Sequence, residues 1–337
     1  MGTIEGITLP VVIFGSCFYS IVYVLSIAGN CFVLSLCYRR RASSLKLFIA
    51  NLAVADLVFA LLSILDAISF FYSSWVGGEV SCKLQGYLIE VCYTTTIITL
   101  AVISHERIKA VRDPFNARLI ALRCASKKVV ILWVISLVAN APLLYAYGIV
   151  TDKIRDKTVC SNKPFGDLAR QIYYGIHSIC FFIIPLIYML YAQSSIFRVL
   201  RSNVHVREFL SQNSFTTSST CRHRKVAKIL TVITLVFVIC WSPFVICRTL
   251  WYFHVCGEWH IRRSSQLLIL LNTALDPILY GMYGENFSLK QSIRRCVKCF
   301  SFQKQSSRVG IINATRIPEK KANRGENDRW RIAIKHL

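Results

Sequence analysis

Acidic side chains are scarce in this chain. Its 337 residues hold 17 Asp and Glu against 40 Lys and Arg, a formal net charge of +23, and charged residues make up only 17%. A soluble domain carries about 25%. The sequence also lacks a nucleophile–base set, a metal-ligand cluster and a phosphate-binding loop, which argues against an enzyme. It lacks an internal repeat with paired broken helices, which argues against a secondary transporter. No basic n-region and cleavage site precede the first apolar run, so that run is expected to be the insertion signal itself. The two Asn-x-Ser/Thr sequons, Asn286-Phe287-Ser288 and Asn313-Ala314-Thr315, fall after the last apolar run and not before the first.

What is there is hydrophobic: 54% of the chain, with apolar runs of bilayer-crossing length recurring along it. That combination defines an all-α, polytopic membrane protein. The excess positive charge would suggest nucleic acid in a soluble protein, but its location decides against that partner. Of the 40 Lys and Arg, 31 lie in alternate connections and the tail. By the positive-inside rule the N-terminus is outside and the C-terminus cytoplasmic, which requires an odd number of spans, and seven fits. The organisation read from this is a short extracellular N-terminus (1–10), a seven-span bundle (11–284), a short amphipathic juxtamembrane helix (285–300) and a cytoplasmic tail (301–337). The spans fall at about 11–37, 45–71, 82–107, 129–149, 171–197, 226–251 and 264–283. Their apolar faces make membrane lipids an implied partner.

The third span, Cys82–Arg107, is the organising stretch. As a helix it covers roughly 38 Å, enough to cross a tilted bilayer. It opens on a cysteine and ends on the acid–base pair Glu106-Arg107. Arginine is costly in hydrocarbon, so Arg107 belongs at one face of the membrane, and Cys82 at the other. Span two carries two intramembrane acids, Asp56 and Asp66, ten residues apart and so on roughly one face at different depths. Proline falls inside spans five, six and seven, at Pro185, Pro243 and Pro277, each freeing a backbone carbonyl. The run 211–220, SQNSFTTSST, reads as flexible and open to phosphorylation. After the last span, Phe287, Leu289 and Ile293 alternate with basic residues, the pattern of a helix lying on the inner leaflet. Cys296 and Cys299 there are placed for palmitoylation.

Seven motifs in order, Gly29-Asn30, the LAVAD run ending at Asp56, Cys82, Glu106-Arg107, Trp133, Cys240-Trp241-Ser242-Pro243 and Asp276-Pro277-Ile278-Leu279-Tyr280, resemble the rhodopsin-like (class A) G-protein-coupled receptors. The likeness spans about residues 11–300. It implies a Cys82–Cys160 disulfide across the top of span three. It implies a polar core of Asn30, Asp56, Thr96, Trp241, Asn272 and Asp276 that holds a sodium ion at Asp56, and an activation machinery of Glu106, Arg107, Phe237, Pro243, Pro277 and Tyr280. It also implies a heterotrimeric G protein as partner, with receptor kinases and arrestin, at the plasma membrane. Three positions depart from the pattern. Ile108 stands where the family has a tyrosine after the arginine. Gln193 replaces the span-five tyrosine. Cys221 replaces the acid that locks Arg107 to span six, which predicts raised basal activity.

The ligand is narrowed by absences. Leu270 occupies the position of a retinal lysine, and Ile89 that of the amine-binding aspartate, with Glu90 turned about 100° away. What remains in the outer half is Asp66, Trp75, Gln85, Glu90, Tyr93, His177, Arg248 and Tyr252. Both charge signs suit a peptide with charged ends better than a fatty acid or steroid, and the runs VCYTTTIITLAVISHERIKAV and LNTALDPILYGMY look most like neuropeptide receptors. The alternatives are a lipid- or small-molecule-binding or constitutively active receptor of the same fold, and a proton- or ion-transporting seven-helix protein.

Overall fold

Seven long helices answer the seven apolar runs: α1 (Leu9–Arg39), α2 (Ser44–Tyr72), α3 (Gly78–Arg112), α4 (Ala121–Asn140), α5 (Asp167–Leu210), α6 (Ser214–Tyr252) and α7 (Trp259–Tyr283). They are seen in a computed structural model that describes residues 9–39, 43–72, 74–112, 121–152, 157–210, 214–255 and 259–283. Among these, the first six helices are long and apolar enough to cross a membrane. α7 has Arg262 and Arg263 near its start, and it packs along α6 and α1 to close the bundle. The expected juxtamembrane helix, with Cys296 and Cys299, and the tail lie outside the described residues.

Burial is arranged as a bilayer demands. Ile21, Val24, Ile131, Val134, Ile187 and Ile239 point outward, while Asn30, Asp56, Thr95, Asn140 and Asn272 are buried among the helices. In hydrocarbon an unsatisfied polar group has no water to turn to, so polar side chains gather inside. The core is filled by Phe48, Leu52, Tyr93, Ile97, Phe237, Trp241 and Tyr280.

The prolines show how local chemistry becomes helix packing. Pro185 has no N–H, so the Phe181 carbonyl four residues earlier cannot be used within the helix. The chain answers with a π turn over Ile179–Ile183, and the Tyr93 hydroxyl of α3 donates to the Phe181 carbonyl at 3.3 Å. Pro277 likewise frees the Thr273 carbonyl, which accepts the Asn30 amide of α1 at 2.9 Å. The same amide also donates to the Ser26 carbonyl at 2.9 Å. Gly29 makes that approach feasible: a Cβ there would sit 2.9 Å from Pro277 Cβ and Cγ. Gly29→Ala is therefore expected to cost about 1–3 kcal/mol through overpacking of α1 on α7. A thermal melt of the purified protein in detergent measures this, and an unchanged midpoint would mean that the two helices do not press together there.

The sequence reading missed two features and erred on one. After α4 a short turn, Leu143–Ala146, leads into a β-hairpin of β1 (Gly148–Asp152) and β2 (Lys157–Ser161). Ile149 is opposite Cys160 in that hairpin. Cys160 is bonded to Cys82, with Cα atoms 5.6 Å apart, so the expected disulfide pins the hairpin to the start of α3. The helices also run past the apolar limits: α3 reaches Arg112 and α5 reaches Leu210. Finally, the Ser/Thr-rich run is helical from Ser214 onward, where flexibility had been expected. Its residues continue the helical register of the apolar α6, and a formed helix extends with little further nucleation cost.

Candidate functional site

At the disulfide end of the bundle a cavity of about 180 Å³ opens between α1, α2, α3, α6 and α7. Of the eight residues proposed to meet a ligand, Asp66, Gln85, Glu90, Tyr93, Arg248 and Tyr252 line it. Asp66 lies at its exposed rim, two to three turns above the buried Asp56. Gln85 spends its amide on the Leu62 carbonyl of α2 at 3.1 Å.

Two residues of that set are elsewhere. Trp75 caps the α2–α3 connection: its indole N–H donates to the Gly78 carbonyl at 2.8 Å and its backbone N–H to Thr158 of β2 at 2.7 Å. The glycine pair Gly77-Gly78 turns the chain so that the indole folds back, away from the cavity. His177 is buried behind Tyr93, their ring centroids 5.6 Å apart, with Nε2 3.2 Å from the Thr94 hydroxyl. It belongs to an aromatic run: Tyr93 stands 4.6 Å from Trp241, and Trp241 5.6 Å from Phe237.

The wall of the cavity carries an ion pair. Arg248 Nη1 donates to Glu90 Oε1, bridging α6 to α3. The guanidinium lies over the Tyr174 ring at 4.5 Å and the Phe244 ring at 5.1 Å. Glu90 is 4% exposed and Arg248 6%. Burying two charges is costly, and only tight geometry with further hydrogen bonds offsets it. Here the offset is incomplete: Glu90 Oε2, Arg248 Nε and Arg248 Nη2 have no hydrogen-bond partner among the described residues. They are donors and an acceptor of full charge in the wall of a cavity. The aromatic wall beside them is held by Asn162 of the hairpin connection, whose amide donates to Tyr252 Oη at 2.6 Å and Tyr174 Oη at 3.2 Å. Neither Asn162 nor Tyr174 was found from sequence, because neither lies in a periodic or charged pattern.

Deeper in the bundle, the Asp56 and Asp276 carboxyl groups meet, and the Asn272 amide donates to Asp276 Oδ2 at 3.2 Å. Asn30, Asp56, Asn272 and Asp276 each keep one buried side-chain oxygen without a partner among the described residues, and so does the Trp241 indole N–H. Thr96 is buried on the adjoining stretch of α3. The free donor set is therefore all oxygen, which suits a hard monovalent cation. It does not suit a zinc-type site: no cluster of three His, Cys, Asp or Glu side chains occurs among the described residues. Trp133 donates to Asn51 at 2.7 Å and Asn51 to Thr99 at 2.9 Å, tying α4, α2 and α3 together beside this core.

At the other end, Glu106 takes the ammonium of Lys128 on α4. A lysine from a neighbouring helix reaches that carboxylate without the bend that an adjacent side chain on the same turn needs. Ile108 and Val111 pack against Ile196 and Ala227, so α3, α5 and α6 converge there. Gln193, in place of the family's tyrosine, accepts from the Thr231 hydroxyl of α6 at 3.2 Å. Tyr280 is buried at 3% exposure, and its hydroxyl has no partner among the described residues.

A membrane-embedded helical bundle with a charged cavity at one end and the Glu106–Lys128 pair beside Arg107 at the other fits the receptor family that the motifs resemble. Comparison with known proteins agrees. The family model of the 7 transmembrane receptor (rhodopsin family) matches residues 29–280, and the chain belongs to that family. It is 25% identical over 319 residues to galanin receptor 2b of Danio rerio, covering 90% of this chain and 80% of that one. It is 24% identical over 302 residues to a QRFP-like peptide receptor of Branchiostoma floridae, covering 84% and 77%. It is 26% identical over 288 residues to the growth hormone secretagogue receptor type 1 of Sus scrofa, covering 79% and 76%.

Proposed function

We propose that this receptor binds an extracellular peptide in the cavity lined by the Glu90–Arg248 pair and activates a heterotrimeric G protein at the Arg107 end. The observation that carries this is the buried pair itself, with charged atoms of both signs left unpaired in the wall of an open cavity. A volume of about 180 Å³ lies below the roughly 300–1,000 Å³ of a site that engulfs a whole small ligand. It suits one terminus or one or two side chains of a peptide whose remainder rests on the hairpin. The relatives point the same way, since three of them are named as receptors for galanin, a QRFP-like peptide and a growth hormone secretagogue. The excess of Lys and Arg on the Arg107 side orients that end to the cytoplasm and the disulfide to the oxidising exterior of the plasma membrane.

In this mechanism the ligand favours one of two packings of the bundle, and the shift is limited by its differential affinity for them. The Glu90–Arg248 pair holds the outer end of α6 to α3. A ligand carboxylate or ammonium competes for it and lets α6 pivot about Pro243, with the Tyr93–Trp241–Phe237 stack moving along. The inner end of α6 then swings outward and opens a cleft at Arg107. A sodium ion held by Asp56 with oxygens of Asn30, Asn272, Asp276 and Thr96 would favour the closed packing by neutralising the carboxyls. Receptor kinases and arrestin would then act on the cytoplasmic side.

The test is G-protein activation in cells across a peptide panel, comparing wild type with Arg107→Ala and Asp56→Asn. The reading expects at least one peptide agonist, a response abolished in Arg107→Ala, and a sodium dependence lost in Asp56→Asn. High basal signal with no peptide response would favour the constitutive form. No G-protein signal in any pathway, with acid-dependent current from surface-expressed protein, would overturn the receptor mechanism.

A further inference from the structure

A second groove, of about 420 Å³, opens sideways between α3, α4 and α5 in the Arg107 half. Its wall is apolar, formed by Val102 of α3 with Ile131 and Leu132 of α4, and Ile131 is 54% exposed. Its rim is basic: His105, Lys109 and Lys128 gather at the end nearer the helix termini. Val102 and Lys109 are seven residues apart, so the trough rises roughly 10 Å from apolar floor to charged rim. That is the polarity profile of one half of a lipid, read from acyl chain to headgroup.

The rim groups differ in how far they are committed. His105 Nδ1 is 2.6 Å from the Tyr188 hydroxyl, which fixes the ring beside the groove. Lys128 is bound to Glu106, the acid that faces this rim. Lys109 is exposed and has no ion pair among the described residues. A lone lysine on a solvated surface would mean little. Here it stands at the mouth of an apolar trough that opens to the membrane, on the side where the chain concentrates its positive charge.

We propose that this groove holds an anionic glycerophospholipid, with one acyl chain along Val102, Ile131 and Leu132 and the phosphate at Lys109 and Lys128. Charge complementarity selects an anionic headgroup over a zwitterionic one, because a basic residue near an anionic membrane surface contributes roughly fivefold in affinity. A phosphate on Lys128 competes with Glu106 for the same ammonium, so occupancy loosens the acid next to Arg107. The proposal does not depend on which ligand the outer cavity takes.

The experiment uses the full chain in phosphatidylcholine nanodiscs doped with a lipid whose acyl chain carries a photoactivatable group, either phosphatidylserine or phosphatidylcholine. After irradiation, labelled peptides are mapped by mass spectrometry. The serine lipid is expected to label peptides carrying Val102 and Ile131 at least about fivefold more than the choline lipid does. Lys109→Gln should erase most of that preference, and Ile131→Trp should block labelling in the groove while leaving it on the α1 face. Equal labelling by the two lipids would show a non-selective lipid annulus and overturn the proposal. So would an unchanged preference in Lys109→Gln, a surface substitution whose folding a thermal melt confirms even if Ile131→Trp fails to fold.

Discussion

Replacing Arg248 with alanine is expected to be among the most damaging single changes in this receptor. The guanidinium is buried against Glu90 and lies on Tyr174 and Phe244. Removing it leaves Glu90 as an uncompensated charge in the bundle, at a cost of about 3–5 kcal/mol. Glu90→Ala should cost a similar amount by stranding Arg248. The informative variant is the double, Glu90→Gln with Arg248→Met, which removes both charges and keeps the volume. It should recover most of the thermal stability in detergent, because a buried pair contributes little net stability over an apolar replacement. Peptide response should not recover with it. If the pair also receives the ligand, the double variant folds, reaches the surface and loses more than about thirtyfold in potency. A double variant that signals normally would reduce the pair to a packing device, and a destabilisation equal to the sum of the singles would show that the two residues do not interact.

Breaking the Cys82–Cys160 bond is expected to have the next largest effect. The bond closes a loop with a sequence separation of 78, and chain entropy alone would assign such a loop about 4–5 kcal/mol in a free chain. α3 and α4 stay inserted when a membrane protein loses its tertiary packing, so part of that entropy is already removed, and about 2–4 kcal/mol is expected. The single variants Cys82→Ser and Cys160→Ser should lose equal stability, and the double should lose no more than either, since one bond is removed each time. Function should fall further than stability does. The hairpin carries Cys160 and leads directly into Asn162, whose amide holds Tyr174 and Tyr252 against the cavity. Additive losses, or a melting temperature indifferent to reducing agent, would show that the bond is not what positions the hairpin.

Much of this molecule was legible without coordinates. Asp56, Glu106, Arg107 and Asp276 are charges in apolar runs, and a bilayer makes each of them conspicuous. The prolines announced freed carbonyls, but that Asn30 of α1 takes up the one freed by Pro277 emerged only from the packed bundle. The outer residues were harder. Trp75 and His177 satisfy the same description as Tyr252, a polar aromatic near the outer end of a span, yet only Tyr252 of the three faces the cavity. Their separation depends on where Gly77-Gly78 turns the chain and on Tyr93 standing in front of His177, and neither is written in a local pattern.

The pairings were harder still. Lys128 was one basic residue among many at the start of a helix until α4 brought it to Glu106. Gln193 looked like the loss of a tyrosine until Thr231 appeared opposite it. By itself the sequence determined the class and the number of spans, and it supplied the expectation of which end faces the cytoplasm. Those follow from hydropathy, charge count and compartment, which are sums over the chain and need no knowledge of neighbours. Only the tertiary structure decided that Glu90 and Arg248, 158 residues apart, neutralise each other in the wall of an open cavity. Coulomb attraction at hydrogen-bond range depends on distance and burial, and those exist only once the helices have packed.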